Sequence, residues 1–402
     1  MAATATQPDL FDGLGQALGT DYMLLREELT DDQLDLLRRV RAFVDGEVLP
    51  VINDYWERAE LPWPLIDRLG ELGIFGEDIR GYGCPGLNPI ACGLVNMELN
   101  RGDGSLGTIF GVQSGLAMRA IALLGSEEQK ERWLPAMARG EKLGAFALTE
   151  PNHGSDSVAL ETSARRDGDG YVIDGAKRWI GNGSIADVVV LWARGEDGQV
   201  KGFLVEKGTA GYRAEVIEGK SSMRAVWQAH IVLEGVRVPA ENRLPGANSF
   251  RDAACVLTPT RGTCAWNALG HAVAAYETAL SYASRRSQFG RSLSTFQIVQ
   301  DRLVKMLAEI TTMQLYCLQI GRLAERGQLT ETMAGLAKLN NTRAARRVCA
   351  EARDMLGGNG ILLENHVIRH MVDIEAIHTF DGTETIQTLI VGRDITGAGA
   401  FA

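Results

Sequence analysis

The chain of 402 residues is poor in cysteine and histidine, with six of each. No two cysteines form a Cys-x-x-Cys pair, so the sequence favours neither a zinc ribbon nor a disulfide scaffold. The cysteines are Cys84, Cys92, Cys255, Cys264, Cys317 and Cys349. Widely spread, unpaired thiols are typical of a reducing compartment, and we predict a cytoplasmic protein.

Basic residues and long apolar runs are also scarce where a targeting signal would need them. Met1–Gly19 contains no Lys or Arg, which fits neither a secretory signal nor a transit peptide. No apolar stretch approaches the 18 residues of a membrane helix, so no membrane span is expected. Lys and Arg number 41 against 51 Asp and Glu, giving a net charge of -10. This acidic balance disfavours nucleic acid or an anionic membrane as a partner.

Several familiar nucleotide and nucleophile motifs are missing. No Gly-x-Gly-x-x-Gly follows a predicted strand, which argues against a Rossmann cofactor site. There is no Gly-x-Ser-x-Gly elbow and no Walker A lysine. His366 and His370 are spaced to share a helix face, but no carboxylate or cysteine accompanies them. A structural role is therefore favoured over a metal site, and we expect no metal.

Hydrophobic periodicity divides the chain into three zones. A helical pattern covers most of residues 1–143, with capping boxes predicted at Thr30–Gln33 and Ser126–Gln129. Short β-rich runs separated by Gly, Asp and Asn fill 144–245, and long helical segments fill 246–402. The order predicts an α+β protein: an N-terminal helical domain, a central antiparallel β-domain and a C-terminal four-helix bundle.

Two polar segments in the central zone are candidates for ligand binding. Leu148–Asp156 combines small residues with hydroxyls, which suits a phosphate or flavin cradle but also an ordinary polar loop. Lys177–Asn182 places Trp179 beside Gly181, where an indole can shield a planar ring or simply fill the core.

Taken together and in order, these segments resemble the signatures of the acyl-CoA dehydrogenase family. Leu148–Asp156 followed by Trp179–Asn182 resembles its flavin-binding signature, and Arg353–Ile361 resembles a second one. Phe380–Thr383 followed by Ile386-Gln387 resembles the segment that bears the base. The glutaryl-CoA dehydrogenase branch is the most similar, through Gly81–Cys84 and His366–His370.

The resemblance implies FAD as cofactor, an acyl-CoA substrate, an electron-transfer flavoprotein as electron acceptor, and a homotetramer. The implied FAD-binding positions are Phe146, Leu148, Thr149, Gly154, Ser155, Trp179, Gly181, Arg286, Gln288, Phe289, Gly357, Gly358, Thr383 and Thr385. Among them Arg286, Gln288 and Phe289 match a segment that reaches the FAD of a neighbouring subunit. The alternative for the Arg285-Arg286 pair is a solvated helix end.

The family's base is a Glu before Gly-Thr, and the matching residue here is Asp381. Removing an α-proton from a thioester needs such a carboxylate at close range. Asp is shorter than Glu by about 1.5 Å, so the backbone, the substrate or the chemistry must adjust. The alternative is that Asp381 caps the following helix, with Glu384 as the capping acid. Glu384 is also the second candidate for the base, whereas Thr260, at the family's other base position, cannot serve.

Further departures concern the substrate and the flavin. Glutaryl-CoA dehydrogenases carry an Arg and a Glu near the acyl tail, and the two matching positions here are Asn100 and Gly107. A distal carboxylate buried without a cation is costly, so a neutral short, branched or alicyclic acyl group is expected. The other implied substrate-binding residues are Ser155, Arg261, Phe380 and Gly382.

Three functions follow from these residues. The first is an FAD-dependent acyl-CoA dehydrogenase. The second is a short-chain acyl-CoA oxidase using oxygen, because Gly181 replaces a Thr that in many dehydrogenases contacts the flavin. The third is a flavin- or acyl-CoA-binding protein without dehydrogenation, because Asp381 and Phe380 replace the usual Glu and Tyr.

Overall fold

The computed structural model describes residues 20–400, in which helices precede and follow a central sheet. The α+β fold class is therefore confirmed. The interpretation of Met1–Gly19 concerns residues outside this range.

The N-terminal helices begin at the capping boxes that the sequence predicts. Thr30 Oγ1 accepts from the Gln33 amide at 3.3 Å, and Gln33 Oε1 accepts from the Thr30 amide at 3.0 Å. Ser126 and Gln129 make the same reciprocal pair. The helices are α1 Asp31–Phe43, α2 Ile52–Arg58, α3 Trp63–Glu71, α4 Pro89–Gly102, α5 Gly104–Gly111, α6 Arg119–Leu124 and α7 Glu127–Ala138. A small hairpin joins β1 Arg80–Gly81 to β2 Cys84–Pro85.

The segment Gly104–Leu124, which runs from α5 through a π-helical turn into α6, is long and apolar enough to span a membrane. This corrects the expectation that no stretch reaches that length. In its most apolar window 67% of the residues are buried inside the protein, as in a core helix.

The central zone forms one curled sheet of seven strands in the described residues. Its strands are β3 Gly144–Ala147, β4 Ser163–Asp167, β5 Gly170–Gly181, β6 Val188–Gly195, β7 Val200–Glu206, β8 Tyr212–Val216 and β9 Gln228–Pro239. Their order is β3-β6-β4-β5-β9-β8, with β7 also paired to β6. Most pairs are antiparallel, as expected, but β6 runs parallel to both β3 and β4. Local alternation cannot reveal such pairings, because they join strands distant in sequence.

Beyond the sheet lie the bundle helices. They are α8 Phe250–Arg285, α9 Gln297–Glu325, α10 Glu331–Met355, α11 Val367–Thr379 and α12 Glu384–Thr396, with the hairpin β10 Ser287–Gln288 and β11 Arg291–Ser292 after α8. Helix α10 packs against each of the other four, and α8 also packs on α4.

Helix α8 runs without interruption for 36 residues. Pro259 lies inside it, and an interior proline costs about 3 kcal/mol. Burial of residues such as Val256 and Cys264 against neighbouring helices offsets that cost.

Candidate active site

Asp381 lies in the loop between α11 and α12. Its φ is +52°, a left-handed conformation that costs a non-glycine residue roughly 1 kcal/mol or more. Lys338 on α10, which is 1% exposed, donates from Nζ to the carbonyl oxygens of Phe380 and, at 2.7 Å, Gly382. Gln387 Nε2 donates to the Asp381 carbonyl at 3.1 Å. Two buried side chains thus bind the carbonyls of the three consecutive residues 380–382.

The residue that caps α12 is Thr383, whose Oγ1 accepts from the Ile386 amide at 3.3 Å. The alternative that Asp381 caps this helix is therefore wrong. Glu384 is an ion-pair partner of Arg343 and of His378, whose Nε2 lies 2.9 Å from its carboxylate. Hydrogen bonding to Arg343 lowers the pKa of Glu384.

The Asp381 carboxylate contacts helix α8 at Cys264, whose Sγ lies 3.6 Å from Oδ2. Burial, and secondarily the Asp381 charge, raise the pKa of the Cys264 thiol above its ordinary value, although Lys338 opposes this. The thiol therefore stays protonated and donates a hydrogen bond to the carboxylate. Arg261 lies one helical turn earlier on α8 and pairs with Glu331 of α10. The structure thus brings Asp381 to the α8 turns that carry Arg261.

The two polar segments of the central zone are bound to each other. Lys177, which is fully buried, donates from Nζ to the Leu148 carbonyl at 3.1 Å and to Glu150 Oε1 at 2.9 Å. The Arg178 amide donates to the Thr149 carbonyl at 2.8 Å. Leu148 and Thr149 directly follow β3, in which Phe146 packs 5.8 Å from the Trp192 ring.

The pKa values of both members of this buried ion pair are lowered, for different reasons. Burial lowers the pKa of Lys177 to about 8, against the opposing charge of Glu150. Burial alone would raise the pKa of Glu150, but the Lys177 charge and hydrogen bonds more than offset it and the pKa is lowered. The backbone amides of Glu161 and Thr162 also donate to this carboxylate, at 2.6 and 2.9 Å. The ionised pair therefore cross-links the loop to β5.

Trp179 is 54% exposed and has a φ of +63°. It is therefore not a core residue, and its indole face is available to a ligand. Arg178 covers part of this ring, with its guanidinium carbon 5.5 Å from the centroid. Gly181 is buried, and a Cβ there would lie 2.8 Å from Val112 Cγ2. Thr at this position would require Val112 to move.

The remaining FAD-binding predictions fall on exposed backbone or hairpin positions. Gly154 and Ser155 are exposed, and a Cβ at Gly154 would meet open space. Gly357 and Gly358 form a 3-10 turn after α10 that also leaves open space, and Thr385 is exposed in the first turn of α12.

Arg286, Gln288 and Phe289 lie at or in the exposed hairpin between α8 and α9. Phe289 is 94% exposed with a φ of +53°, and its ring centroid lies 6.3 Å from that of Phe296. The hairpin therefore does not bury its own aromatic tip, and a role at a neighbouring subunit stays a prediction.

Asn100 and Gly107 are brought into contact across the junction of α4 and α5. Asn100 is 1% exposed, and its Nδ2 donates to the Asn96 carbonyl at 2.9 Å, while its Oδ1 has no hydrogen-bond partner. A Cβ on Gly107 would lie 2.6 Å from Asn100 Cγ. The amide of Asn100 thus fills the space beside Gly107. Gly102–Gly107 does read Gly-x-Gly-x-x-Gly, but it follows a helix rather than a strand.

His366 and His370 have separate structural partners. His366 Nδ1 lies 3.2 Å from Asn53 Oδ1, and His370 Nδ1 lies 2.8 Å from His271 Nδ1. A different group, Glu150 with His153 and Glu161, has ligand atoms within 4.8 Å of one another, but Glu150 already binds Lys177.

Sequence reasoning missed Lys338, Gln387 and Cys264. Each lies on a helix in a pattern that fits an ordinary core or surface position. Of the three, only Gln387 belongs to a motif named in the sequence analysis, the segment Phe380–Thr383 followed by Ile386-Gln387, and that motif gave it no role. Their relation to Asp381 depends on how α8, α10 and α12 pack.

Comparison with known proteins agrees with this architecture. Family models match the acyl-CoA dehydrogenase N-terminal domain at residues 30–141, its middle domain at 145–236 and its C-terminal domain at 250–396. The probable acyl-CoA dehydrogenase YngJ of Bacillus subtilis is 33% identical over 375 residues, which cover 92% of this chain and 99% of that protein.

Solved structures show the same likeness. A glutaryl-CoA dehydrogenase from Mycobacterium smegmatis superimposes with a TM-score of 0.93 at 41% identity, covering 96% of this chain and 99% of that chain. A glutaryl-CoA dehydrogenase from the same organism, in complex with FADH2, gives 0.94 at 37% identity with the same coverage.

The fold, the carboxylate-bearing loop and these matches define an oxidoreductase. The chain belongs to the acyl-CoA dehydrogenase family.

Proposed function

We propose that this protein is an FAD-dependent acyl-CoA dehydrogenase in which Asp381 removes the α-proton of the thioester. The observation that carries the proposal is the placement of Asp381. Its loop is held by Lys338 and Gln387, and its carboxylate meets the turn of α8 that follows Arg261.

The residues of the central zone fit a flavin. The exposed indole of Trp179 supplies a flat apolar face, and the open space at Gly154 lets the backbone come close to a ligand. The relative in complex with FADH2 supports this cofactor. The residues that would hold it are the positions that the family resemblance implies, among them Thr149, Trp179 and Gly181. When bound, the flavin supplies the hydride acceptor.

Asp381 performs the proton transfer. Its carboxylate has to be ionised to act as a base, and the thiol of Cys264 stabilises that form by donating to Oδ2. The left-handed backbone also changes the direction in which the short side chain leaves the loop. We infer that this direction, rather than added length, brings the carboxylate to the α-carbon.

For the acyl group, we infer a neutral short, branched or alicyclic chain. Asn100 and Gly107 provide no cation for a distal carboxylate. The side-chain amide of Asn100 also fills the space beside Gly107. The neighbouring Arg101 is bound to Glu98 and Asp45. An unpaired carboxylate in such surroundings is strongly disfavoured. Glutaryl-CoA is therefore expected to be a poor substrate, despite the names of the similar structures.

For the electron acceptor, we propose an electron-transfer flavoprotein. A structure titled as the electron transferring flavoprotein of Acidaminococcus fermentans contains a chain similar to this one, at 30% identity and a TM-score of 0.88. A homotetramer is supported by the exposed Phe289 hairpin and by exposed apolar side chains such as Ile298 and Val304 on α9.

The test is anaerobic bleaching of the flavin by a panel of thioesters: butyryl-, isobutyryl-, cyclohexanecarbonyl- and glutaryl-CoA. We expect bleaching by at least one neutral thioester and little by glutaryl-CoA. Asp381→Asn should slow bleaching by roughly 100-fold or more. Asp394→Asn, which changes an exposed acid on α12, is the matched control and should behave as wild type.

Each remaining outcome has a definite meaning. Rapid peroxide formation in air, without turnover of an electron-transfer flavoprotein, would favour the oxidase. No bleaching by any thioester would favour a binding protein. Unchanged bleaching in Asp381→Asn would refute the assignment of the base.

A further inference from the structure

The Cys264 thiol lies beside the proposed base but takes no part in the proton transfer itself. It is 1% exposed in the middle of α8, yet its sulfur faces the partly exposed carboxylate of Asp381 rather than only apolar neighbours. A sulfur–oxygen separation of 3.6 Å suits a hydrogen bond donated by a thiol to a carboxylate oxygen, because sulfur is a large atom and a weak donor.

Three other cysteines, Cys317, Cys349 and Cys255, have different surroundings. Cys317 and Cys349 are equally buried in the bundle, but they lie near Asn341 and the His271 carbonyl. Cys255 is exposed. Cys264 is the cysteine that reaches the loop between α11 and α12.

The charged groups around Cys264 and Asp381 indicate which of the two donates the hydrogen bond between them. Lys338 of α10 and Arg261 of α8 both act on the thiol, and Asp381 faces it from the loop. Lys338 is committed to the Phe380 and Gly382 carbonyls, and Arg261 to Glu331. At the start of α12, Glu384 is neutralised by Arg343 and His378. The hydrogen bond to the carboxylate oxygen Oδ2 therefore comes from the thiol.

Resting on the proposed function, we propose that Cys264 is a positioning residue that holds Oδ2 of Asp381, so that Oδ1 is presented to the acyl-CoA α-carbon. A short aspartate cannot compensate for a wrong rotamer by flexing, because it has one fewer side-chain torsion than glutamate. A fixed second oxygen removes that freedom. The thiol keeps its proton throughout and takes no part in the proton transfer.

The test compares Cys264→Val with Cys264→Ser in the flavin-loaded protein. Valine keeps the approximate volume but cannot donate, so the acid limb of the pH profile of kcat/KM should move up by about half a unit to one unit. The rate of thioester-dependent bleaching should fall roughly threefold to tenfold. Serine retains a donor and should keep the wild-type limb. Cys317→Val, in an equally buried position away from Asp381, is the matched control and should leave the limb unchanged.

A second readout does not depend on activity. The infrared S–H stretching band of Cys264 is identified by its loss in Cys264→Val. It should move to higher frequency in Asp381→Ala, because the acceptor is gone. If Cys264→Val does not fold, Cys264→Ala provides the same comparison.

The outcomes separate the two proposals. Wild-type protein that no thioester bleaches refutes the proposed function, whereas the S–H band still reports on the hydrogen bond. An S–H band insensitive to Asp381, or a pH limb that moves equally in the Val and Ser variants, overturns the positioning role.

Discussion

Removing the ammonium of Lys177 by Lys177→Met should destabilise the protein and weaken its hold on the flavin. Lys177 is fully buried, and Glu150 is 4% exposed. Without its partner, the Glu150 carboxylate remains buried with the amides of Glu161 and Thr162 as its donors. Breaking a buried pair in this way costs about 3–5 kcal/mol.

That free energy converts into a change in melting temperature. A chain of 402 residues has an unfolding entropy of roughly 0.8 kcal/mol per kelvin. The expected fall in Tm is therefore about 4–6 °C. Because Lys177 also bonds the Leu148 carbonyl, the loop should loosen, and the flavin should dissociate more readily on dilution.

The assay is thermal unfolding followed by circular dichroism, with flavin fluorescence as a second signal. Arg213→Met is the control, since Arg213 pairs with Glu234 on the same sheet but both side chains are more than half exposed. Such a surface pair contributes at most about 1 kcal/mol. A Lys177→Met protein that melts within 1 °C of the Arg213→Met protein would refute the reasoning.

Three further predictions concern other parts of the molecule. Lys338→Met should lower the bleaching rate about tenfold or more in stopped-flow measurements, because the loop around the base loses the donor to two of its carbonyls; a wild-type rate would contradict this. Gly107→Ala should lower the free energy of unfolding by about 1–3 kcal/mol through overlap with the Asn100 amide, and Asn100→Ala should relieve most of that loss in the double variant, as measured by urea unfolding. Burial lowers the pKa of His271 from 6.5 to about 3, so the unfolded chain binds its proton first as pH falls. Stability should therefore be complete above pH 6.5 and decline towards pH 3, and Tm measured at pH 7, 6, 5 and 4 should decrease less steeply in His271→Leu.

The helix starts, the fold class and the order of the elements could be predicted from residues close together in the sequence. The Thr30 and Ser126 capping boxes involve atoms three residues apart, so the sequence contains all their parts. The change from helical spacing to short β-rich runs is likewise local, which is why the α+β class and the order of helices and strands could be predicted. The ordered motifs identified the family.

Tertiary structure decided the features in which distant segments compete or combine. Asp381 and Thr383 both belong to residue types that cap helices, and the folded structure gives the cap to Thr383, while Lys338 and Gln387 bind the loop before it. Helix α8 continues through Pro259 because burial against other helices outweighs a local penalty.

The sequence by itself determined which residue types are available at the candidate site: an aspartate at 381, an uncharged pair at 100 and 107, and an indole at 179 close to a glycine at 181. It could not determine that Trp179 is exposed or that Cys264 meets Asp381. Those facts depend on side chains from separate elements occupying one space. Close packing admits few arrangements of the helices, and it is this packing that selects the contacts.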